Sequence, residues 1–195
     1  MRISAGHLKG RRVAFQGVFS KKTGADELRP TSAKVREALF DILRNDVQDS
    51  SFLDLYSGTG AVGFEALSRG ARKVVFVELN QELHRSIVDC IGRIGLVDKA
   101  EAHRAKVMDF IRRSGGCGER FDIIFADPPY ASEETAQLMP IIDSIGLLRE
   151  SGCLVIEHAT KSAMGHAPAA GTLRHVKDYR YGDTMLTLYR KGTPQ

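Results

Sequence analysis

Phe52-Leu53-Asp54-Leu55-Tyr56-Ser57-Gly58-Thr59-Gly60-Ala61-Val62-Gly63 changes backbone character within a few residues. Phe52 to Tyr56 is a short apolar run broken by one acid, which predicts a buried strand. Gly58, Gly60 and Gly63 then fit the spacing G-x-G-x-x-G. Ala61, Phe64, Ala66 and Leu67 continue at helical spacing until Gly70. A glycine loop that leaves a strand and opens a helix is the context in which this spacing is informative. Glycine allows tight turning and lets a ligand approach the backbone. Lys73 to Val77 predicts the next strand, closed by Glu78, twenty positions after Gly58. A carboxylate there can accept both hydroxyl hydrogens of a ribose. Together these features predict a cofactor that contains a nucleoside.

That cofactor is either a dinucleotide or S-adenosylmethionine. Asp54, four residues before Gly58, suits a ligand with a cationic amino group and a sulfonium better than a pyrophosphate. A dinucleotide enzyme also needs a second unit for the rest of its ligand, and little chain is left to build one.

Further along, Phe121 to Ala126 predicts another buried strand, followed by Asp127-Pro128-Pro129-Tyr130. Each proline fixes its own φ and lacks an N–H, and the residue before a proline is pushed toward extended backbone. The result is a stiff loop with a carboxylate, bare carbonyls and one aromatic face. Alone it is equally well a rigid turn. At the carboxyl end of a strand beside the glycine loop it faces bound ligand. The Asp127 carboxylate and the Pro128 carbonyl can bind both hydrogens of an exocyclic amine and aim its lone pair at a methyl carbon. Tyr130 offers a stacking face for a base swung out of its helix.

Between and beyond these stretches, strand and helix alternate. Helices are predicted at about 32–43, 81–94, 107–113 and 132–147, a weak strand at 99–103, and a strand at 153–157. Gly115-Gly116-Cys117-Gly118 predicts a surface loop. Strands at 172–177 and 184–189 follow without a helix between them, which predicts an antiparallel edge hairpin on an otherwise parallel sheet. Arg2-Ile3-Ser4 and Arg11 to Phe15, around a glycine-bearing loop, predict an N-terminal hairpin.

A chain of 195 residues can bury a sizeable core. Its longest apolar runs are strand-length, so no membrane span is expected, and no signal-peptide core is seen. Three cysteines, Cys90, Cys117 and Cys153, form no C-x-x-C pair, which predicts a reduced, cytoplasmic protein without a zinc site. The six histidines lack metal spacing. Residues 1–36 carry nine Lys/Arg against Asp26 and Glu27, a net +7 in a chain of net +4. A basic arm on a mildly acidic body predicts a polyanion partner, with a plain solvated surface as the alternative. Tyr179, Arg180 and Tyr181 are expected in the loop between the last two strands.

Asp127-Pro128-Pro129-Tyr130 resembles the [DN]-P-P-[YF] motif of methyltransferases that act on exocyclic amines. Arg2 to Arg11, Leu28 to Phe40, Leu53 to Ala71 and the tetrapeptide together resemble the bacterial family that methylates the guanine N2 amine of 16S ribosomal RNA. The resemblance implies a Rossmann-like class I methyltransferase with seven strands, a basic extension over 1–30 and a methyltransferase domain over 31–195. It implies S-adenosyl-L-methionine as cofactor, held by Arg29, Thr31, Asp54, Tyr56, Ser57, Gly58, Thr59, Gly60, Glu78 and Val107. It implies Asp127, Pro128 and Tyr130 as catalytic residues, and ribosomal RNA, within a small subunit or assembly intermediate, as partner of Arg2, Lys9, Arg11 and Arg12. A monomer suffices. One position departs from the family: Lys106 stands where an acid or amide usually meets the adenine amino group, and a lysine cannot accept that bond. The Val107 backbone or Asp109 replaces it, or binding is weaker. Adenine N6 methylation, an NAD-dependent oxidoreductase and an inactive assembly factor are the competing readings.

Overall fold

The computed structural model describes residues 2–13, 32–129, 133–160 and 171–192. Seven strands form one sheet in the order β3-β2-β1-β4-β5-β7-β6. They are β1 (Ser51–Leu55), β2 (Lys73–Glu78), β3 (Ala100–Arg104), β4 (Phe121–Ala126), β5 (Leu148–Ala159), β6 (Leu173–Tyr181) and β7 (Thr184–Lys191). Strands β1 to β5 run parallel to one another, and β7 pairs antiparallel with both β5 and β6. The expected parallel sheet with an antiparallel edge hairpin is therefore present. No described helix is long and apolar enough to cross a membrane.

The helices are α1 (Ala33–Ile42), α2 (Ala61–Ser68), α3 (Gln81–Ile94), α4 (Val107–Gly116) and α5 (Glu133–Ile145). Local chemistry sets their ends. The Ser32 hydroxyl accepts the Val35 N–H at the start of α1. Asn80 accepts the Glu82 and Leu83 N–H groups at the start of α3, and Gly95, at φ 73°, ends it in the left-handed region glycine favours. The central strands are buried on both faces, which is why they read as near-continuous apolar runs. One core cluster packs the N-terminal segment and α1, α2 and α3 on one face of the sheet. The other packs α4 and α5 on the opposite face.

Three expectations need correction. Gly115 and Gly116 lie inside α4, not in a loop. A Cβ on Gly115 would sit 1.7 Å from Ile145 Cγ2, so the glycine lets α4 approach α5 closely. Strand β5 begins at Leu148, with a register shift opposite Phe121 and Ile123 that its exposed residues Arg149 to Ser151 had hidden. Tyr179, Arg180 and Tyr181 belong to β6, and the turn is at Gly182 and Asp183. A register shift between His175 and Lys177 interrupts the alternation that would have extended that strand.

The N-terminal segment forms a short hairpin. Arg2 bridges Arg12, the Ile3 N–H donates to the Arg11 carbonyl, and the Gly10 N–H donates to the Ile3 carbonyl. Ile3, Leu8 and Val13 are buried in the core, so the segment is docked on the body of the molecule. Ala14 and Phe15 of the expected hairpin lie outside the described residues.

Candidate functional site

Sheet order places β1 next to β4 while the chain proceeds from β1 to β2 on the other side. Connections leaving β1 and β4 thus part to opposite sides and open a crevice at their carboxyl ends. Leu55 pairs with Ala126 and with Val77, so Tyr56, Glu78 and Asp127 emerge side by side. The structure brings the glycine loop, the ribose-type acid and the first residues of the acid-proline loop to one place.

The loop after β1 is a tight turn. Tyr56 has φ 56°, Gly58 φ 54° and Gly60 φ 72°. A tyrosine in that region costs of order 1–3 kcal/mol, and such strain gathers at functional sites. Ser57 holds the turn: its N–H donates to the Val77 carbonyl, and its hydroxyl donates to the Asp54 carbonyl at 2.6 Å. The same oxygen accepts the Val77 N–H at 2.9 Å. The Ser57 side chain is therefore spent on joining β1 to β2. Thr59 is buried within the turn.

The glycines have separate reasons. Among the described residues, a Cβ on Gly58 meets only the Tyr56 carbonyl, at 3.9 Å, which leaves room for a ligand on that side. A Cβ on Gly63 would stand 2.2 Å from Phe76 Cε1, so this glycine seats α2 against β2.

Three carboxyls converge here. Asp54 is fully buried and accepts the Gly63 N–H at 2.9 Å. Burial pushes its pKa well up; the Gly63 bond opposes this, and the charges of Asp127 and Glu78 add to it. Glu78 is half-buried and accepts the N–H groups of Gly58 and Asn80, each at 2.7 Å. Burial raises its pKa as well, against those backbone bonds. Burial pushes Asp127 up to about 7. Ionisation of carboxyls held this way is favoured by a cationic ligand and disfavoured by a pyrophosphate. A carboxylate has about four acceptor sites, so the backbone donors Asn80, Gly58 and Leu79 still leave Glu78 able to accept from a ribose hydroxyl. The donor set fits a nucleoside that carries a sulfonium and an ammonium.

At the far side, β3 ends at Arg104 opposite Glu78 in register. Lys106 is the N-cap of α4 and supplies no side-chain cap bond, and Val107 is the buried first residue of the helix. Asp109 is exposed and pairs with Arg112 at 3.6 Å. Asp127 is half-buried, Pro128 buried and Pro129 exposed. Tyr130, Arg29 and Thr31 lie outside the described residues. Arg2, Lys9, Arg11 and Arg12 are all exposed on the docked hairpin.

Two groups of residues were not singled out from the sequence. Asn80 orders the end of β2 by capping α3. Glu65 and Ser68, on α2, bind the N-terminal hairpin. A charged residue in a helix whose every position is buried, followed four residues later by Arg69, was the available signal.

The antiparallel β7 lies between β5 and β6, the three carboxyls stand at the crevice of the sheet, and the fold is the one seen in solved methyltransferases. Within that class the match is narrower. The family model described as conserved hypothetical protein 95 matches residues 1–190, and the chain belongs to that family. Ribosomal RNA small subunit methyltransferase D of Escherichia coli (strain K12) is 25% identical over 191 residues, spanning 98% of this chain and 90% of that protein. A hypothetical protein of Thermus thermophilus shares the structure at a TM-score of 0.77 and 31% identity, over 96% of this chain and 98% of that one. An RNA methyltransferase from Salinibacter ruber, in complex with S-adenosyl-L-homocysteine, shares the fold at a TM-score of 0.66 and 14% identity, over 85% and 95% of the two chains.

Proposed function

We propose that this chain transfers a methyl group from S-adenosyl-L-methionine to the exocyclic N2 amine of a guanine in small-subunit ribosomal RNA, in the cytoplasm. The observation that carries the reading is the convergence of Asp54, Glu78 and Asp127 at the β1–β4 crevice, with burial raising each carboxyl. That arrangement fits a cationic methyl donor and disfavours the dinucleotide alternative. The similarity to ribosomal RNA small subunit methyltransferase D of Escherichia coli supports ribosomal RNA as the substrate class.

The cofactor, when bound, supplies a methyl group on a positively charged sulfur that leaves as a neutral thioether. Glu78 would hold the ribose, the open backbone at Gly58 would lie against the ligand, and Asp54 would keep α2 in place through Gly63. Arg29, Thr31 and the start of α4 at Val107 complete the proposed cofactor shell. On the other side, the amine is a weak nucleophile because its lone pair is delocalised into the ring. The Asp127 carboxylate and the Pro128 carbonyl accept its two hydrogens and turn that lone pair out of conjugation. Tyr130 stacks on the base. As the N–C bond forms, the amine sheds a proton, and a carboxyl that titrates near 7 is placed to take it. Most of the rate gain is alignment of the two reactants. Arg2, Lys9, Arg11 and Arg12 bind phosphates, which positions the RNA without reading sequence.

The test is tritiated methyl transfer to small ribosomal subunits from cells lacking the protein, followed by nucleoside analysis. N2-methylguanosine is expected. N6-methyladenosine refutes the guanine assignment, and no transfer with no cofactor binding refutes the enzymatic one.

A further inference from the structure

Glu65 is a carboxylate without any exposure, in the middle of a wholly buried helix. Isolated, such a charge would be strongly disfavoured. Here it is surrounded by donors from three segments. The Ser4 N–H, the Ser4 hydroxyl and the Ala5 N–H donate to it at 2.9, 2.7 and 3.0 Å. Arg69 Nε donates at 3.0 Å, and Arg36 Nε, from α1, stands 3.5 Å away. Burial by itself raises the Glu65 pKa, but the Ser4 bonds and Arg69 outweigh it and hold the carboxyl below its ordinary value. Arg36 also donates to the Arg2 carbonyl at 3.3 Å.

One turn on, Ser68 adds a second clamp. Its hydroxyl donates to the Ala5 carbonyl and accepts the Leu8 N–H, while its carbonyl accepts the His7 N–H at 2.9 Å. Gly6 fits so closely that a Cβ there would lie 1.8 Å from the Ser68 carbonyl oxygen. The start of α2 is the glycine turn, tied to Asp54 through Gly63. One short helix thus holds the cofactor loop at one end and the basic hairpin along the other. An apolar contact would hold the hairpin at lower desolvation cost, whereas polar partners of fixed geometry set its register.

We propose that Glu65 is a positioning residue for RNA: it fixes the hairpin on α2, so that Arg2, Lys9, Arg11 and Arg12 form a preformed phosphate-binding surface at a set place relative to the methyl-donor site. This rests on the reading of the chain as a ribosomal RNA methyltransferase. A fixed surface spares the ordering cost that a mobile arm incurs on binding.

The experiment uses the full chain with Glu65→Gln and, because a buried substitution can compromise folding, Ser4→Ala, which removes only the hairpin's hydroxyl. Transcribed small-subunit ribosomal RNA is titrated over a series of salt concentrations, S-adenosylmethionine is titrated calorimetrically, and kcat and KM are measured on small subunits. Hydrogen exchange over residues 2–13 reports hairpin release. Both variants should weaken RNA binding and raise KM for subunits by about tenfold, with the salt slope falling by about one for each phosphate that is no longer neutralised. Cofactor affinity and kcat should stay within about twofold, since free energy is removed from RNA binding alone. A released hairpin with unchanged RNA affinity and salt slope overturns the proposal. Equal losses in cofactor and RNA affinity also overturn it, because they mark Glu65 as general scaffold. Binding is read without catalysis, so these outcomes are separate from a failure of wild-type methylation, which would strike the proposed function instead.

Discussion

Gly63→Ala tests how the glycine loop is built. The new Cβ would stand 2.2 Å from Phe76 Cε1, 2.7 Å from Cζ and 2.9 Å from Val74 Cγ1. Ordinary carbon contacts begin at about 3.5 Å, so the first of these is short by more than 1 Å. Phe76 cannot retreat: it is fully buried and its ring lies 4.9 Å from that of Phe64. The helix must lift instead, and a shift of that size breaks the 2.9 Å bond from the Gly63 N–H to Asp54. Overpacking costs about 1–3 kcal/mol, and loss of the bond at a buried carboxyl a further 1–3, offset by about 1 kcal/mol of helix propensity. A net loss of roughly 1–5 kcal/mol lowers Tm by about 2–20 °C in a chain of this size. Urea unfolding with an unchanged slope would measure it, and calorimetry should show cofactor affinity down at least about tenfold, the factor carried by 1.4 kcal/mol. A variant with wild-type Tm and cofactor affinity would refute both the packing role of Gly63 and the role of Asp54 in holding α2.

Three further outcomes are expected. Cofactor affinity should weaken on the order of tenfold as pH falls from 8 to 6, because Asp127, with its pKa at about 7, gains a proton and stops attracting a cation; Asp127→Asn should flatten that profile, and a flat wild-type profile would remove the charge role. Asp127→Ala should lower kcat by about a hundredfold or more while RNA binding changes little, and unchanged turnover would remove the residue from the chemistry. Glu78→Ala strips the acceptor from the Gly58 and Asn80 N–H groups and from a ribose, so cofactor Kd should rise about 10–100-fold, while Asn80→Ala should cost only about 1 kcal/mol through loss of the α3 cap.

Much of the sheet was legible because burial on both faces leaves an unmistakable apolar run in β1, β2 and β4. Glu78 was legible because a single acid closes such a run. What escaped depended on partners far along the chain. Gly115 and Gly116 read as a loop by composition, yet they are helical, and Gly115 leaves Ile145 the space a side chain would fill. The outer strands were cut short where register shifts at β5 and β6 break the alternation. Glu65 offered only the Arg69 spacing as a local sign, because its partner Ser4 lies sixty-one positions earlier and no periodicity marks a contact of that range. Ser57 looked like a ligand contact beside the glycines, while its hydroxyl is directed at the backbone of β1 and β2.

The adjacency of β1 and β4 has a consequence for how such an enzyme diversifies. Asp54, the glycine turn, Glu78 and Asn80 belong to one contiguous stretch of chain, while Asp127 and Pro128 leave a neighbouring strand that begins at Phe121. On the proposed reading, the acid that holds the ribose and the acid that holds the base thus lie on separate segments that meet only in space. The loop beyond Ala126 can be rewritten, lengthened or exchanged to accept another base without altering a residue of the donor stretch. The same division lets the donor half drift in sequence while the target is kept.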